Sequence, residues 1–477
     1  MIRKTLLLAT GVLAALLIGA PLVLSFQMDN IQQAYVNALS DRPFLKVVHS
    51  SFARGWFSSR SRITLALDTA ACASAACPRV RIDSRIYHGP LPFGAYAETG
   101  LSLKPVQGIA ISHIRFVAPS GKSALSSPPP PITATTVVGL GGDKNIHVDW
   151  PAFKTDLHPG QTRLRVDSAA WNAHYVSDAS ATELRAALAL PSLNIAGPQG
   201  ATLSLHQLQA HAQRKLVSPS VTQFSLKLAR LGLSGAAPGA DAALQQLAFS
   251  ARVDEDKPSG SGLMASHGSL SIARLRTPQQ TLGPAILEYR VERLNTQVLE
   301  RIRDRLRQLA SARQAPGMAW LSLAQVYEDN AFALLHPGPA IDVPRLQVTM
   351  PSGDVDVTLH AAVAPMDKPG QAALTQVLKH LSATFSALAP QAVVEAVIRR
   401  ALAPAGAAAA SVPNAAVHTA LKQLTAEHWL TPPRPGEPRY GFRMRLQDGN
   451  LQVNGQPAPA WSQFMQQLFN AAPSGLK

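Results

Sequence analysis

The chain has 477 residues, 46% hydrophobic and only 15% charged, which excludes a disordered chain and allows a sizeable core. Lys and Arg outnumber Asp and Glu 44 to 29, a net charge of +15, but the basic residues are scattered and show none of the arginine–aromatic interleaving that stacks bases. This argues against nucleic acid, and leaves either a solvated basic surface or one facing an anionic bilayer or lipid headgroup.

From the N-terminus, Thr5 to Met28 carry no charge and follow Arg3 and Lys4. A helix of about 20 residues crosses a hydrocarbon core of roughly 30 Å, so Leu6–Phe26 is long enough to span it. The rival reading is a cleaved signal peptide. A cut after Ala20 would put Ile18 at the −3 position, which wants a small residue, and Pro21 at +1, both poor, and the apolar run continues through Leu22, Val23 and Leu24. No cysteine precedes Cys72, so a lipoprotein-type processing site is missing too. The expectation is an uncleaved single-pass anchor at 5–28 with a cytoplasmic tip at 1–4. The positive-inside bias places everything after it outside the cytoplasm.

Asp29–Leu39 reads as a short helix, and then the apolar period becomes two. Ile63, Leu65 and Leu67 share one side of a strand whose other side carries Arg62, Thr64 and Asp68. Alternation recurs at Val80–Tyr87, Ile109–Val117, Thr162–Val166, Phe224–Leu233 and Ser269–Arg276, with Gly, Pro, Asn and Asp in the gaps. Residues 29–290 are therefore expected to be β-rich. Within them, Cys72 and Cys77 lack the C-x-x-C spacing and have no further metal ligands nearby; outside the cytoplasm they most simply form a local disulfide. Ala118–Thr133, with prolines at 128–131, reads as an exposed loop.

Residues 291–477 mix helix and strand. Leu294, Val298, Ile302, Leu306 and Leu309 form a helical stripe. Gln371–Leu402, broken at Pro390, and Asn414–Trp429 read as further helices, and Asp354–Val363 as a strand. Near the C-terminus, Asp448-Gly449 and Asn454-Gly455 suit tight type I′ turns around short strands. Trp461, Phe464, Met465, Leu468 and Phe469 then mark one face of a terminal helix.

None of the motifs that would carry chemistry is complete. Gly139–Lys144 lacks phosphate-loop spacing, with Asn145 where a hydroxyl is needed, and His206 and His211 do not make a zincin pair. The Ser259–Gly262 run is not a nucleophile elbow, and Asp254–Asp256 lacks calcium-loop spacing. No catalytic, cofactor-binding or metal-binding residues are assigned.

Three fragments, taken in order behind the charge-free segment, carry a resemblance: Arg54-Gly55-Trp56-Phe57-Ser58-Ser59, His88-Gly89-Pro90-Leu91-Pro92, and Asp448–Pro457 with its turns at Gly449, Asn454 and Gly455. Together they resemble the YdgA/YihF-type family of bacterial inner-membrane-anchored periplasmic proteins, whose biochemical function is undefined. The resemblance implies an anchored, β-rich periplasmic protein and brings no catalytic residues. Physically, Arg54-Gly55 and His88-Gly89-Pro90 are strand-flanking turns, and His88 is expected to be satisfied by backbone.

The fold expectation is α+β: an N-terminal transmembrane helix, then a β-rich body of extended, mostly antiparallel sheet, with packing helices in the C-terminal part. The functional expectation is a non-enzymatic envelope protein that binds a hydrophobic ligand such as lipid or scaffolds an envelope complex; the alternative is an envelope-acting hydrolase with a dispersed site. Its partners would be the inner membrane and lipid or another envelope protein, with self-association left open. An open apolar groove favours lipid, whereas a compact pocket with converging His, Asp and Ser favours catalysis.

Overall fold

The computed structural model describes residues 45–67, 79–117, 129–157, 163–216, 220–235, 241–256, 262–278, 280–311, 333–366, 380–403, 412–435 and 438–458, with isolated positions at 33, 36, 37, 326 and 330. The expected anchor, the Cys72/Cys77 pair and the helix at 461–469 lie outside the described residues. Among the described residues, no helix is long and apolar enough to cross a membrane. The chain divides into two units, Met1–Asp241 with Asp304–Ser322, and Ala242–Arg303 with Leu323–Lys477.

The first unit is an antiparallel meander. Its strands are β1 (Leu45–Ala53), β2 (Ser58–Leu67), β3 (Arg79–His88), β4 (Val106–Val117), β5 (Ile132–Gly139), β6 (Lys144–Trp150), β7 (Phe153–Leu157), β8 (Leu164–Ser168), β9 (Trp171–Ser177), β10 (Glu183–Ala196), β11 (Thr202–Lys215) and β12 (Val221–Ser234). The spatial order is β1-β2-β3-β4-β5-β6-β9-β10-β11-β12. The β7–β8 hairpin leaves after β6, and β8 pairs with the second half of β10 while β9 pairs with the first. Trp150 fixes this branch: its ring lies 4.5 Å from Phe153 and 5.6 Å from Trp171, and its Nε1 donates to the Pro130 carbonyl at 2.9 Å.

The tight core of this unit lies where α1 (Phe93–Thr99) packs on β4. Ala95 and Tyr96 meet Val106, Ile109 and Ile111, with Tyr87 and Val137 at the margin. Pro92 begins the helix and Gly100, at φ 69°, ends it, as the proline–glycine asymmetry of helices leads one to expect.

The second unit has β13 (Ala242–Asp256), β14 (Leu263–Arg276), β15 (Thr281–Leu282), β16 (Ala285–Asn295), β17 (Ala340–Met350), β18 (Gly353–Val363), β19 (Leu381–Pro390), β20 (Arg439–Gln447), β21 (Asn450–Val453) and β22 (Gln456–Pro457). They pair antiparallel in the order β13-β14-β16-β17-β18-β19-β20-β21-β22, with β15 on β14. The helical stripe expected from Leu294 becomes α2 (Thr296–Ser311), of which the residues to Arg303 belong to this unit, while Leu294 itself lies on β16; the Val298 amide donates to Asn295 Oδ1 at 3.2 Å, and Val298 and Ile302 are buried. Two further helices, α3 (Gln391–Leu402) and α4 (Asn414–Ala426), share a core of Ile398, Val417 and Leu421.

The helix expected over Gln371–Leu402 is corrected in part: residues 371–379 lie outside the described residues and His380 is helical, but Leu381–Pro390 is β19, and helix returns at Gln391. The run LSATFSALAP alternates Ser382, Thr384 and Ser386 with Ala383, Phe385 and Ala387, and pairing with both β18 and β20 satisfies its backbone. Strand neighbours on both sides override the helical leaning of its alanines and leucines.

Candidate functional site

The strand register of the first unit assembles apolar rows. Across β10, β11 and β12 these read Ile195–Leu203–Leu233, Leu193–Leu205–Leu231, Leu190–Leu208–Leu228, Leu188–Ala210–Leu226 and Ala186–Ala212–Phe224. The intervening rows are polar or small, for example Ser192–His206–Arg230 and Ala189–Gln209–Lys227. From Ala186 to Ile195 the apolar face runs about 30 Å along the strands, at roughly 3.3 Å per residue.

Keeping these rows on one face requires a change of step. In β10, β11 and β12 the apolar residues recur at every second position except once, at Leu190→Leu193, Leu205→Leu208 and Leu228→Leu231, where the step is three. At that level β11 carries Gln207 at φ 52°, a left-handed residue that interrupts alternation while the pairing resumes on either side in unchanged register. Pro191, which has no N–H to give a ladder, sits at the same level of β10. The crease keeps both halves of each strand apolar on the same side.

This face is not closed. Leu228 is buried at 8% exposure, but Leu203, Phe224 and Leu233 keep 38%, 37% and 41% of their surface exposed. The other leucines in the rows are half-buried.

The second unit repeats the design. Its rows include Leu247–Ile272–Ala285–Val348 and Phe249–Leu270–Leu287–Leu346 across β13, β14, β16 and β17, against polar rows such as Ser250–Ser269–Glu288–Arg345. The three-residue steps recur at Leu244→Leu247, Ile272→Leu275 and Val291→Leu294, with Gln246 at φ 51° and Arg293 at φ 57°. The Leu, Ile, Phe and Val members of these rows are again half-buried.

The first two motif fragments meet at one end of β2 and β3. Gly55 lies in the β1–β2 turn, where a Cβ would sit 2.2 Å from the Ser58 carbonyl oxygen, so no larger residue fits beside Arg54. Trp56 and Phe57 stack on each other and stand out to solvent. His88 closes β3, its amide donating to the Phe57 carbonyl at 2.9 Å, and Gly89 turns at φ 106°. The Pro90 carbonyl accepts from Val106 at 3.0 Å, tying the turn to β4.

The His88 ring is not satisfied by backbone. It is 2% exposed, and its Nε2 lies 2.7 Å from Ser59 Oγ, itself fully buried; Nδ1 has no partner among the described residues. Burial pushes the imidazole below its ordinary pKa, so it is neutral at pH 7. A serine–histidine pair invites a nucleophilic reading. The hydroxyl has no exposed surface and no carboxylate orients Nδ1, so the pair acts as a peg between β2 and β3. Sequence reasoning missed Ser59 as the partner. Its only signal was position within the same motif.

The third fragment forms the β20–β21 hairpin. Asp448 and Gly449 take φ 52° and 76°, and Asn454 and Gly455 take 49° and 84°, as type I′ turns require. Asn454 does more than turn: its Oδ1 accepts from the Arg443 amide at 2.8 Å, and its Nδ2 donates to the carbonyls of His428 and Trp429 at 2.9 and 3.0 Å. It ties the hairpin to the segment leaving α4. Gly139–Asp143 is the β5–β6 turn. His206 and His211 lie on β11, and among the described residues no cluster of His, Cys, Asp and Glu could hold a metal ion.

Residues 2–460 match the family model of DUF945, bacterial proteins of unknown function. The chain belongs to that family. No curated protein and no solved structure matches it. The family model spans both units, so the apolar faces and all three motif fragments lie within the matched region.

Proposed function

We propose that this DUF945 member, of the YdgA/YihF type by its three fragments, is a non-enzymatic protein of the bacterial inner membrane. Its N-terminal segment is the anchor, and its periplasmic body holds a hydrophobic ligand of aliphatic character, a lipid acyl chain being the fitting class. The observation that carries this reading is the partly exposed apolar face of β10–β12, five consecutive rows without a polar side chain. Sites for polar metabolites place a few polar groups among apolar walls to fix orientation. A face of leucine and alanine offers instead unspecific contact along its length, which suits a flexible chain. Exposed apolar area of this extent is uncommon on monomeric proteins without a partner.

The test is purification of the full chain in mild detergent, followed by mass spectrometry of co-purifying lipids. The control is the Thr5–Met28 segment fused to an unrelated soluble domain. Lipid in stoichiometric excess over that control, and its loss in Leu205→Glu/Leu231→Glu protein that still folds, is the expected result. Lipid content equal to the control would sink the reading.

A further inference from the structure

The face of β2–β4 that α1 partly covers carries opposed arginines. Register sets Arg60 directly across from Arg85 on β3, and Arg81 directly across from Arg115 on β4, with Arg62 across from Asp83 between them. Directly opposed side chains have their Cβ atoms roughly 4.5–5.5 Å apart, and like charges there destabilise a sheet.

The nearby acids are already engaged. Asp83 accepts from Arg62 Nε at 2.7 Å and Arg81 Nε at 2.8 Å; burial raises its pKa, but these bonds outweigh that and hold it below the usual carboxylate range. Glu98 of α1 accepts from the Tyr87 hydroxyl and lies 3.8 Å from Arg85. Neither Arg60 nor Arg115 has a carboxylate within ion-pair distance among the described residues. A cavity of about 480 Å³ opens on this face, lined by Ser51, Arg60, Arg62 and Arg85 together with the engaged Asp83 and Glu98.

Arg81 and Arg85 find acids in Asp83 and Glu98, but setting Arg60 and Arg115 against them costs stability, with no ion pair of their own among the described residues to offset it. An anion lying between them reverses the sign of that term. Guanidinium forks match the oxygens of phosphate, and Ser51 adds a hydroxyl. The basic run is too long for one ion, since Lys46 and Arg79 continue it to the end of the sheet where β1 begins. Residues 29–44, which reach at most about 55–60 Å, join that end to the charge-free segment.

We propose that this arginine-lined face docks on the phosphate headgroups of an anionic phospholipid bilayer, the one Thr5–Met28 enters. The inference rests on the anchor in the function proposed above and is independent of the acyl-chain ligand. Basic segments beside a membrane are drawn to anionic lipid within a Debye length of its surface.

The experiment places the full chain in nanodiscs of phosphatidylcholine, alone or mixed with phosphatidylglycerol. Arginine-specific modification by phenylglyoxal is then read residue by residue by mass spectrometry, with Arg230 on β12 as reference. Arg60 and Arg115 should react about fivefold more slowly in the anionic discs, and the gap should close at about 0.5 M salt. Equal rates in both discs, with the chain inserted, overturn the docking alone. Failure to insert into either disc overturns the anchor and the docking with it. Protection by inorganic phosphate in neutral discs that equals protection in anionic discs would identify a free-anion site and overturn the bilayer source. In Arg60→Gln/Arg115→Gln protein, Arg81 and Arg85 should react alike in both discs, while the melting temperature in neutral discs holds or rises. A lower melting temperature would make these arginines structural and defeat the proposal.

Discussion

Beneath α1 and along β10–β12, the first unit builds apolar faces from the same alternating strands, yet one is closed and the other is open. Ala95 and Ile109 have no exposed surface and Ile111 keeps 4%, whereas Leu203 and Leu233 keep 38% and 41%. The difference lies in the covering element. Seven residues of α1, begun by Pro92 and ended by Gly100, are enough to seal the patch around Ile109 and Ile111. Alternation makes a face apolar but does not state what covers it, because an antiparallel sheet can leave either side to solvent. Full burial of a leucine contributes about 1.5–3 kcal/mol, and a half-exposed leucine forfeits part of that. Rows of such leucines are a stability loss that a ligand would recover.

The largest expected effect tests whether the two faces differ in energy as they do in exposure. Ile109→Ala should destabilise the full chain by roughly 2–5 kcal/mol, as truncations in packed cores do. Leu233→Ala should cost about 1 kcal/mol or less, since much of that side chain is already in water. Denaturant unfolding of both variants in the same detergent checks this. Equal losses would mean that the β10–β12 face is covered as tightly as the α1 core, and the comparison would collapse.

A smaller effect concerns the end of β2 and β3, where a polar pair is buried. Ser59→Ala leaves His88 Nε2 without its partner in a site that water does not reach, a cost of about 1–3 kcal/mol. The same histidine gives the stability of the chain a pH dependence. Its folded pKa lies below the unfolded value of about 6.5, so the unfolded chain takes up the proton first. The stability it contributes is therefore complete above about pH 6.5 and is lost as pH falls toward the folded pKa. Subtracting the pH profile of His88→Gln from that of the native chain isolates this slope from the other histidines. A difference profile that is flat between pH 7 and 5, or that rises as pH falls, would show that the ring is not held neutral.

Much of the architecture was legible in the sequence, and what escaped has physical causes. The alternation of Ile63 with Leu65 and of Phe224 with Leu226 located β2 and β12, and Asp448-Gly449 located its hairpin by turn chemistry alone. Ala-rich β19 was misread because strand neighbours, absent from a one-dimensional pattern, decide its conformation. Of β10–β14, only Phe224–Leu233 in β12 and Ser269–Arg276 in β14 were legible, and β10, β11 and β13 were missed altogether. Each apolar repeat changes step once, and a strict period of two ends where the crease begins. The opposed arginines were invisible because scattered positions such as Arg60, Arg85 and Arg115 become neighbours only through register.

The smallest expected effect tests that crease, on which the continuity of the open face depends. Gln207 is exposed and sits at φ 52°, so its side chain contributes little packing while its Cβ is strained. Glycine takes that conformation without steric cost but loses more chain entropy on folding, so Gln207→Gly should stabilise by no more than about 1 kcal/mol. Gln207→Val puts a β-branched residue at positive φ and should destabilise by about 1–2 kcal/mol, although valine favours regular strands. The opposite signs are the diagnostic, read from denaturant midpoints at unchanged slope. Were valine the more stable of the two, β11 would run straight through Gln207. Leu203 and Leu205 would then lie on the face opposite Leu208, and β10–β12 would present two short apolar patches in place of one long face.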